Sequence, residues 1–281
     1  MINKVLVVGA GLMGSGIAQV IALAGIPVIL VDRSDSDIDR GKKYIEKSIA
    51  SMRKREKYSV EDERRIHEHI HYSTKVQDGA TADLVIEAIP ENIALKKEMF
   101  RKLDEIIQPH AILASNTSSL SIAEIGSVTL RPENVIGMHF FSPVPLMNLL
   151  EIVKSLSTSA ETLETAKEFA VKINKQTVVA QDYPGFIVNR ILLPMMNEAA
   201  FLVMEGTPAE EVDNAMKLGA NHPIGPLKLA DECGLDTTLS ALETLYRDFA
   251  DSKYRPCPLL KKLVESGKLG RKSGEGFYKY S

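Results

Sequence analysis

The sequence holds only two cysteines, Cys233 and Cys257, in 281 residues. Two thiols cannot build a disulfide framework or a zinc site by themselves, so no metal is expected and a reducing, cytoplasmic setting is. A strong charge of either sign is also missing. The 34 Lys and Arg against 37 Asp and Glu leave a net charge of −3, which excludes a uniformly basic surface for nucleic acid. No apolar run approaches the ~20 residues that cross a bilayer. The opening MINKVLVVGAG breaks at glycines with a structural look, so neither a signal peptide nor a membrane partner is expected. Internal repeats and low-complexity tracts are absent. What is present, 44% hydrophobic and 25% charged residues, is a globular balance able to fill a core. The length fits one large or two medium domains.

The first part of the chain alternates two patterns. Short β-branched runs stand at Lys4 to Val8, Val28 to Asp32, Leu84 to Ala88, Ile112 to Ala114 and Val135 to Phe140. Helix-like stretches lie between them at Met13 to Ala24 and Leu95 to Ile107. Strands alternating with helices predict an α/β fold, a Rossmann-like, doubly wound, mostly parallel sheet. Asp37 to Ile70 breaks the rhythm as a helical-hairpin insertion with RKREKYSVEDERR between its apolar faces. That charged run reads either as a solvated surface or, through Arg53, Lys54 and Arg55, as a receiver of a phosphate-bearing ligand. After YPGFIVNR helical patterns dominate, at Phe186–Met204, Pro208–Leu218, Leu235–Ala250 and Leu259–Glu265, with a kink expected at Pro194. The division is placed at 1–183 for a cofactor domain with its arm at about 37–70, and 184–281 for an all-α C-terminal domain. LLPMMNEAAFLVM is apolar on more than one face, which predicts a subunit contact there.

The first strand runs into Gly9-Ala10-Gly11-Leu12-Met13-Gly14. A lone GxGxxG says little, but this one follows a strand, opens a helix and precedes a second strand ending in Asp32. Gly9 makes the tight turn, Gly11 lets backbone approach a pyrophosphate, and Gly14 permits close helix–strand packing. The helix N-terminus supplies free N–H donors and partial positive charge. Asp32 suits ribose hydroxyls and repels a 2′-phosphate, which favours NAD over NADP, although Arg33 beside it points the other way.

Three polar clusters interrupt apolar segments: Ser115 to Leu120, His139 within GMHFFSPVP, and Glu151 within LLEIV. Each has a plain reading as a helix cap or a satisfied core group. A carboxylate in an apolar strand, however, needs a partner. Pairing Glu151 with His139 meets that need and makes the imidazole a base able to take an alcohol proton.

These segments, with EAIPEN, PGFIVNR, MKLGANHPIGP and the terminal GEGFYKY, resemble the L-3-hydroxyacyl-CoA dehydrogenase family over nearly the whole chain. The bacterial 3-hydroxybutyryl-CoA dehydrogenases fit best in length. The resemblance implies an NAD-dependent oxidoreductase that interconverts (S)-3-hydroxyacyl-CoA, of short chain, and 3-oxoacyl-CoA in fatty-acid oxidation or butanoate metabolism. It makes His139 the base, Glu151 its orienting partner, Ser118 a hydrogen-bonder to the substrate oxygen, and Asn189 a positioner of the thioester end. It places Asp32 on the adenosine ribose, and Glu91, Lys96, Asn116, Ser118, Ser142 and Lys279 on the cofactor. It puts Ser48, Arg55 and Ser118 on the coenzyme A substrate, and a homodimer contact in the C-terminal domain. Two positions depart from the family: Ser142 stands where Asn is usual, and Asn148 replaces a lysine. The rival readings are a free β-hydroxyacid dehydrogenase, a class that commonly uses a lysine base, and a non-catalytic NAD-binding or structural protein on the same scaffold.

Overall fold

A computed structural model of the chain describes residues 2–280. Its framework divides into two compact units, Met1–Asp182 and Tyr183–Ser281.

In the first unit the elements run β1 (Val5–Val8), α1 (Leu12–Leu23), β2 (Val28–Val31), α2 (Asp35–Lys54), α3 (Val60–His69), β3 (Ile70–Ser73), β4 (Leu84–Glu87), α4 (Ile93–Ile106), β5 (Ile112–Ser115), α5 (Ile122–Gly126), β6 (Val135–Phe140), β7 (Leu149–Lys154), α6 (Ala160–Lys172) and β8 (Gln176–Gln181). Every residue of VLVV, VILV, LVIE and ILAS is buried. Continuous apolar strands of this kind belong to a parallel sheet covered on both faces. The eight strands stand in the order β3-β2-β1-β4-β5-β6-β7-β8. All neighbours are parallel except β6 and β7, which run antiparallel. The chain leaves β1 toward one edge and returns to β4 on its other side, a switch point that opens a crevice at the carboxyl ends of the strands.

The helical hairpin forms, and it has a task that the sequence reading missed. It carries the chain from β2 to β3, which pairs with β2, so the expected insertion is a crossover. Ser34 caps α2, and Ser59 and Asp62 form a capping box at the start of α3. Ile38, Ile45, Ile49 and Met52 on α2 and Ile66 on α3 face α1 and join the main core.

The second unit packs α7 (Val188–Met204), α8 (Ala209–Gly219), α9 (Pro226–Cys233), α10 (Leu235–Phe249) and α11 (Pro258–Glu265) around Leu193, Met196, Leu227, Leu242, Leu245 and Leu260. α7 runs through Pro194 as one helix. Asn197 ties α7 to the segment before α11, donating to the Arg255 carbonyl at 3.0 Å and accepting from the Cys257 amide at 2.8 Å. Asp231 accepts from the Phe277 and Tyr278 amides and the Tyr280 hydroxyl, all at 3.0 Å, and so fixes the C-terminal segment that carries Lys279. Among the described residues no helix is long and apolar enough to cross a membrane, and no group of three or more His, Cys, Asp or Glu could hold a metal.

Candidate active site

The sheet brings the polar clusters of the first unit to one edge. Val8 pairs with Glu87, Glu87 with Ser115, and Ser115 with Gly137, two residues before His139. The carboxyl ends of β1, β4, β5 and β6 thus lie side by side.

At β1 the three glycines of the fingerprint are needed for different reasons. Gly9 has φ +107°, and a Cβ there would sit 2.6 Å from the Ala88 carbonyl oxygen. A Cβ on Gly14 would come within 1.8 Å of the Gly9 oxygen, so α1 could not approach the turn. At Gly11 a Cβ would meet nothing within 4 Å. This glycine therefore fronts open space, and it is the N-cap of α1 with no side-chain cap on the free amides. Beside it lies a cavity of about 520 Å³ lined by Gly9, Gly11, Val31, Asp32, Ile89 and Leu95 among others. Asp32 Oδ2 accepts from the Ala10 amide at 2.7 Å and Oδ1 from the Arg33 amide at 2.7 Å. A carboxylate oxygen accepts more than one hydrogen bond, so Asp32 keeps capacity for ribose hydroxyls. An apolar cavity, bare helix N-terminus, open Gly11 and strand-end carboxylate fit a dinucleotide.

At β4 and β5 a buried network sets the loop that carries Ser118. Glu87 is fully buried, and its carboxylate accepts from Lys96 Nζ (2.7 Å), the Ser115 hydroxyl (2.7 Å) and the Ile89 amide (2.7 Å). Lys96, 1% exposed, also donates to the Ile89 carbonyl at 3.2 Å and stands 3.4 Å from Glu91 Oε2. Glu91 Oε1 then accepts from the Thr117 hydroxyl (2.6 Å), the Ser118 amide (2.9 Å) and the Ser118 hydroxyl (3.3 Å). Burial pushes the Glu91 carboxyl up, but Lys96, Thr117 and the Ser118 amide outweigh it and hold it below the usual range. Asn116 Oδ1 accepts from the Phe140 amide at 2.8 Å and so joins this loop to the end of β6.

At β6 and β7 antiparallel pairing sets His139 opposite Glu151. Opposed residues share a face, which brings together side chains twelve positions apart. His139 Nδ1 lies 2.7 Å from Glu151 Oε2, with Glu151 fully buried and His139 6% exposed. The Phe141 ring lies 4.4 Å from the imidazole, centroid to centroid.

The other expected residues are placed as follows. Leu12 and Met13 open α1, with Leu12 59% exposed at the cavity. Ser142 is exposed just beyond β6. Ser48 is half-buried on α2, and Arg55 is exposed at its C-cap. Arg53, Lys54 and Arg55 are all exposed at the end of α2. Arg53 crosses the hairpin to Glu63 at 3.4 Å and donates to the Tyr58 carbonyl at 3.4 Å. Asn189 is half-buried in the first turn of α7, and Lys279 is exposed near the C-terminus, both in the second unit. The sequence reading named Ser115 and Thr117 only as members of the 115–120 cluster and missed Glu87. The signal for Glu87 was the one that marked Glu151, a carboxylate on an otherwise apolar strand.

The comparisons agree in kind. A family model described as "3-hydroxyacyl-CoA dehydrogenase, NAD binding domain" matches residues 4–183, and one described as "3-hydroxyacyl-CoA dehydrogenase, C-terminal domain" matches residues 185–280. A probable 3-hydroxybutyryl-CoA dehydrogenase of Bacillus subtilis is 50% identical over 280 residues, covering 99% of this chain and 98% of that protein. The 3-hydroxybutyryl-CoA dehydrogenase of Bradyrhizobium diazoefficiens is 49% identical, covering 99% and 96%. The crystal structure of (S)-3-hydroxybutyryl-CoA dehydrogenase PaaH1 from Ralstonia eutropha superposes with a TM-score of 0.95 at 45% identity, covering 100% of both chains. With a dinucleotide cradle, a buried His–Glu pair and full-length matches in both units, the chain belongs to the 3-hydroxyacyl-CoA dehydrogenase family.

Proposed function

We propose that the chain interconverts (S)-3-hydroxyacyl-CoA, of short acyl length, and 3-oxoacyl-CoA with NAD, using His139 as general base. The observation that carries the reading is the 2.7 Å contact between His139 Nδ1 and Glu151 Oε2 at the end of β6. A carboxylate at Nδ1 fixes the proton there and leaves Nε2 to accept the proton of the substrate hydroxyl. As the imidazole becomes cationic, Glu151 stays ionised and stabilises it. Bound NAD supplies the hydride acceptor. Gly9 to Gly14 and the amides of α1 would hold its diphosphate and Asp32 its adenosine ribose, while Asn116, Ser142 and Lys279 serve the other half. Glu91, which accepts from the Thr117 hydroxyl and the Ser118 amide, and Lys96, paired with Glu87 and 3.4 Å from Glu91, would border the nicotinamide half of the cofactor. Ser118 and Asn189 orient the reacting end of the thioester, and such positioning is worth about 7–11 kcal/mol of barrier. Ser48, Arg53, Lys54 and Arg55 would meet the coenzyme A moiety. The exposed apolar side chains of the second unit, Ile191 at 69% and Leu218 at 87% among them, support a homodimer contact there.

The test follows NADH absorbance with acetoacetyl-CoA and, in the other direction, with a free 3-hydroxyacid. Turnover confined to the thioester supports the reading. Turnover only with the free acid identifies a free-acid dehydrogenase, and none with either identifies a binding protein. His139→Ala should lower kcat by ~10²–10⁴ with NAD still bound. Near-normal turnover of that variant rejects the base. Glu151→Gln should move the pH–rate profile, and an unchanged profile rejects the pair.

A further inference from the structure

Asp32 stands where the adenosine ribose of a dinucleotide is met. In this fold an arginine near that position is what accommodates a 2′-phosphate. Here two guanidinium groups line the same cavity as Asp32: Arg33, its neighbour, and Arg40, on the second turn of α2. By charge alone they make a receptor for NADP, which opposes the preference that Asp32 implies.

The geometry resolves the conflict. Arg33 Nε is 2.9 Å from Asp37 Oδ2, and Arg40 Nη2 is 2.6 Å from Asp37 Oδ1, so each carboxylate oxygen takes one guanidinium. Asp37 is 5% exposed, and its Oδ2 also accepts the Ser34 hydroxyl at 2.7 Å. It is fixed at the third position of α2 by the cap that starts the helix. The arginine side chains are 85% and 53% exposed, and Asp37 is the carboxylate to which each is paired. Asp32 has a different task, because its oxygens take the Ala10 and Arg33 amides and its charge opposes a phosphate directly.

We infer that Asp37 is a determinant of cofactor specificity: it holds Arg33 and Arg40 in charge-assisted pairs and so denies a 2′-phosphate the two cations that would receive it. Discrimination against NADP then has two parts, repulsion by Asp32 and withdrawal of the arginines by Asp37. The inference rests on the NAD reading of the cavity.

The experiment is calorimetric titration of the full chain with NAD and with NADP, and with 5′-AMP and 2′,5′-ADP as fragments that differ by the 2′-phosphate alone. In Asp37→Asn, which keeps a hydrogen-bonding side chain toward Ser34, the ratio of NADP to NAD dissociation constants should fall about tenfold, the value of one freed guanidinium–phosphate contact. 2′,5′-ADP should gain on 5′-AMP in the same sense, and salt should reduce the gain. Adding Arg33→Gln and Arg40→Gln should abolish it. Asp37→Ser gives the same reading should Asp37→Asn fail to fold. An unchanged ratio in a folded Asp37 variant overturns the inference, as does a gain that survives loss of both arginines. A wild-type chain that binds neither dinucleotide overturns the cofactor reading beneath it.

Discussion

Glu87 and Glu151 are both fully buried carboxylates on the sheet, yet they hold different things. Glu87 neutralises an ammonium that has no access to water, whereas Glu151 faces an imidazole. Removing one partner of a buried ion pair leaves the other uncompensated, so Glu87→Ala should cost about 3–5 kcal/mol. The denaturant midpoint measures this, and a loss below 1 kcal/mol would show Lys96 finding water or another anion. Lys175 is a second buried ammonium, donating to the Val144 carbonyl at 2.6 Å and the Met147 carbonyl at 2.7 Å. Burial pushes its pKa down to about 8 from an ordinary 10.5. Between those values the unfolded chain binds the proton and the folded chain releases it, so this group makes stability rise with pH, by at most ~1.4 kcal/mol per unit. Lys175→Met should flatten stability against pH across that window, and an unaltered slope would mean the ammonium stays charged. Residues of this kind differ in how legible they are. Glu151 stands out because it interrupts an apolar strand. Asp37 sits among polar residues, and nothing in DRSDSDIDR says which acid takes which arginine.

At the scale of elements, strands with buried runs were readable and edge strands were not. β1, β2, β4 and β5 are buried throughout and apolar but for Glu87 and Ser115 at the ends of β4 and β5, because helices cover both faces. β3 reads IHYS and β8 reads QTVVAQ, half-exposed at the two ends of the sheet, where burial no longer selects the residues. Missing β3 made a crossover look like an insertion. In the arm, Arg53 pairs with Glu63 across the hairpin while staying partly exposed. Lys54 and Arg55 remain exposed for an anionic ligand. Replacing both with Gln should weaken acetoacetyl-CoA binding about two- to fivefold at low salt and flatten its salt dependence. Equal salt response in variant and wild type would remove the arm from the substrate site.

For the whole molecule, the alternation of strand and helix followed by helices alone conveyed the architecture, because hydrophobic period is set by which faces are buried. The pairing of His139 with Glu151 was legible from the need of each for a partner, while its distance required the register of β6 on β7. A homodimer contact in the second unit predicts twice the chain mass by light scattering, held to low micromolar concentration. A monomer would leave Ile191 and Leu218 as isolated surface residues.

His139 and Glu151 meet because β6 and β7 pair antiparallel in one register, and the connection at 141–148 that sets this register is itself held: Val144 is buried in the core, and Lys175 donates to the Val144 and Met147 carbonyls. A shift of β7 by a single residue would turn Glu151 to the opposite face of the sheet and leave the imidazole facing an apolar neighbour. The buried Lys175 thereby serves the imidazole at a distance, by fastening the connection that keeps β7 in register with β6.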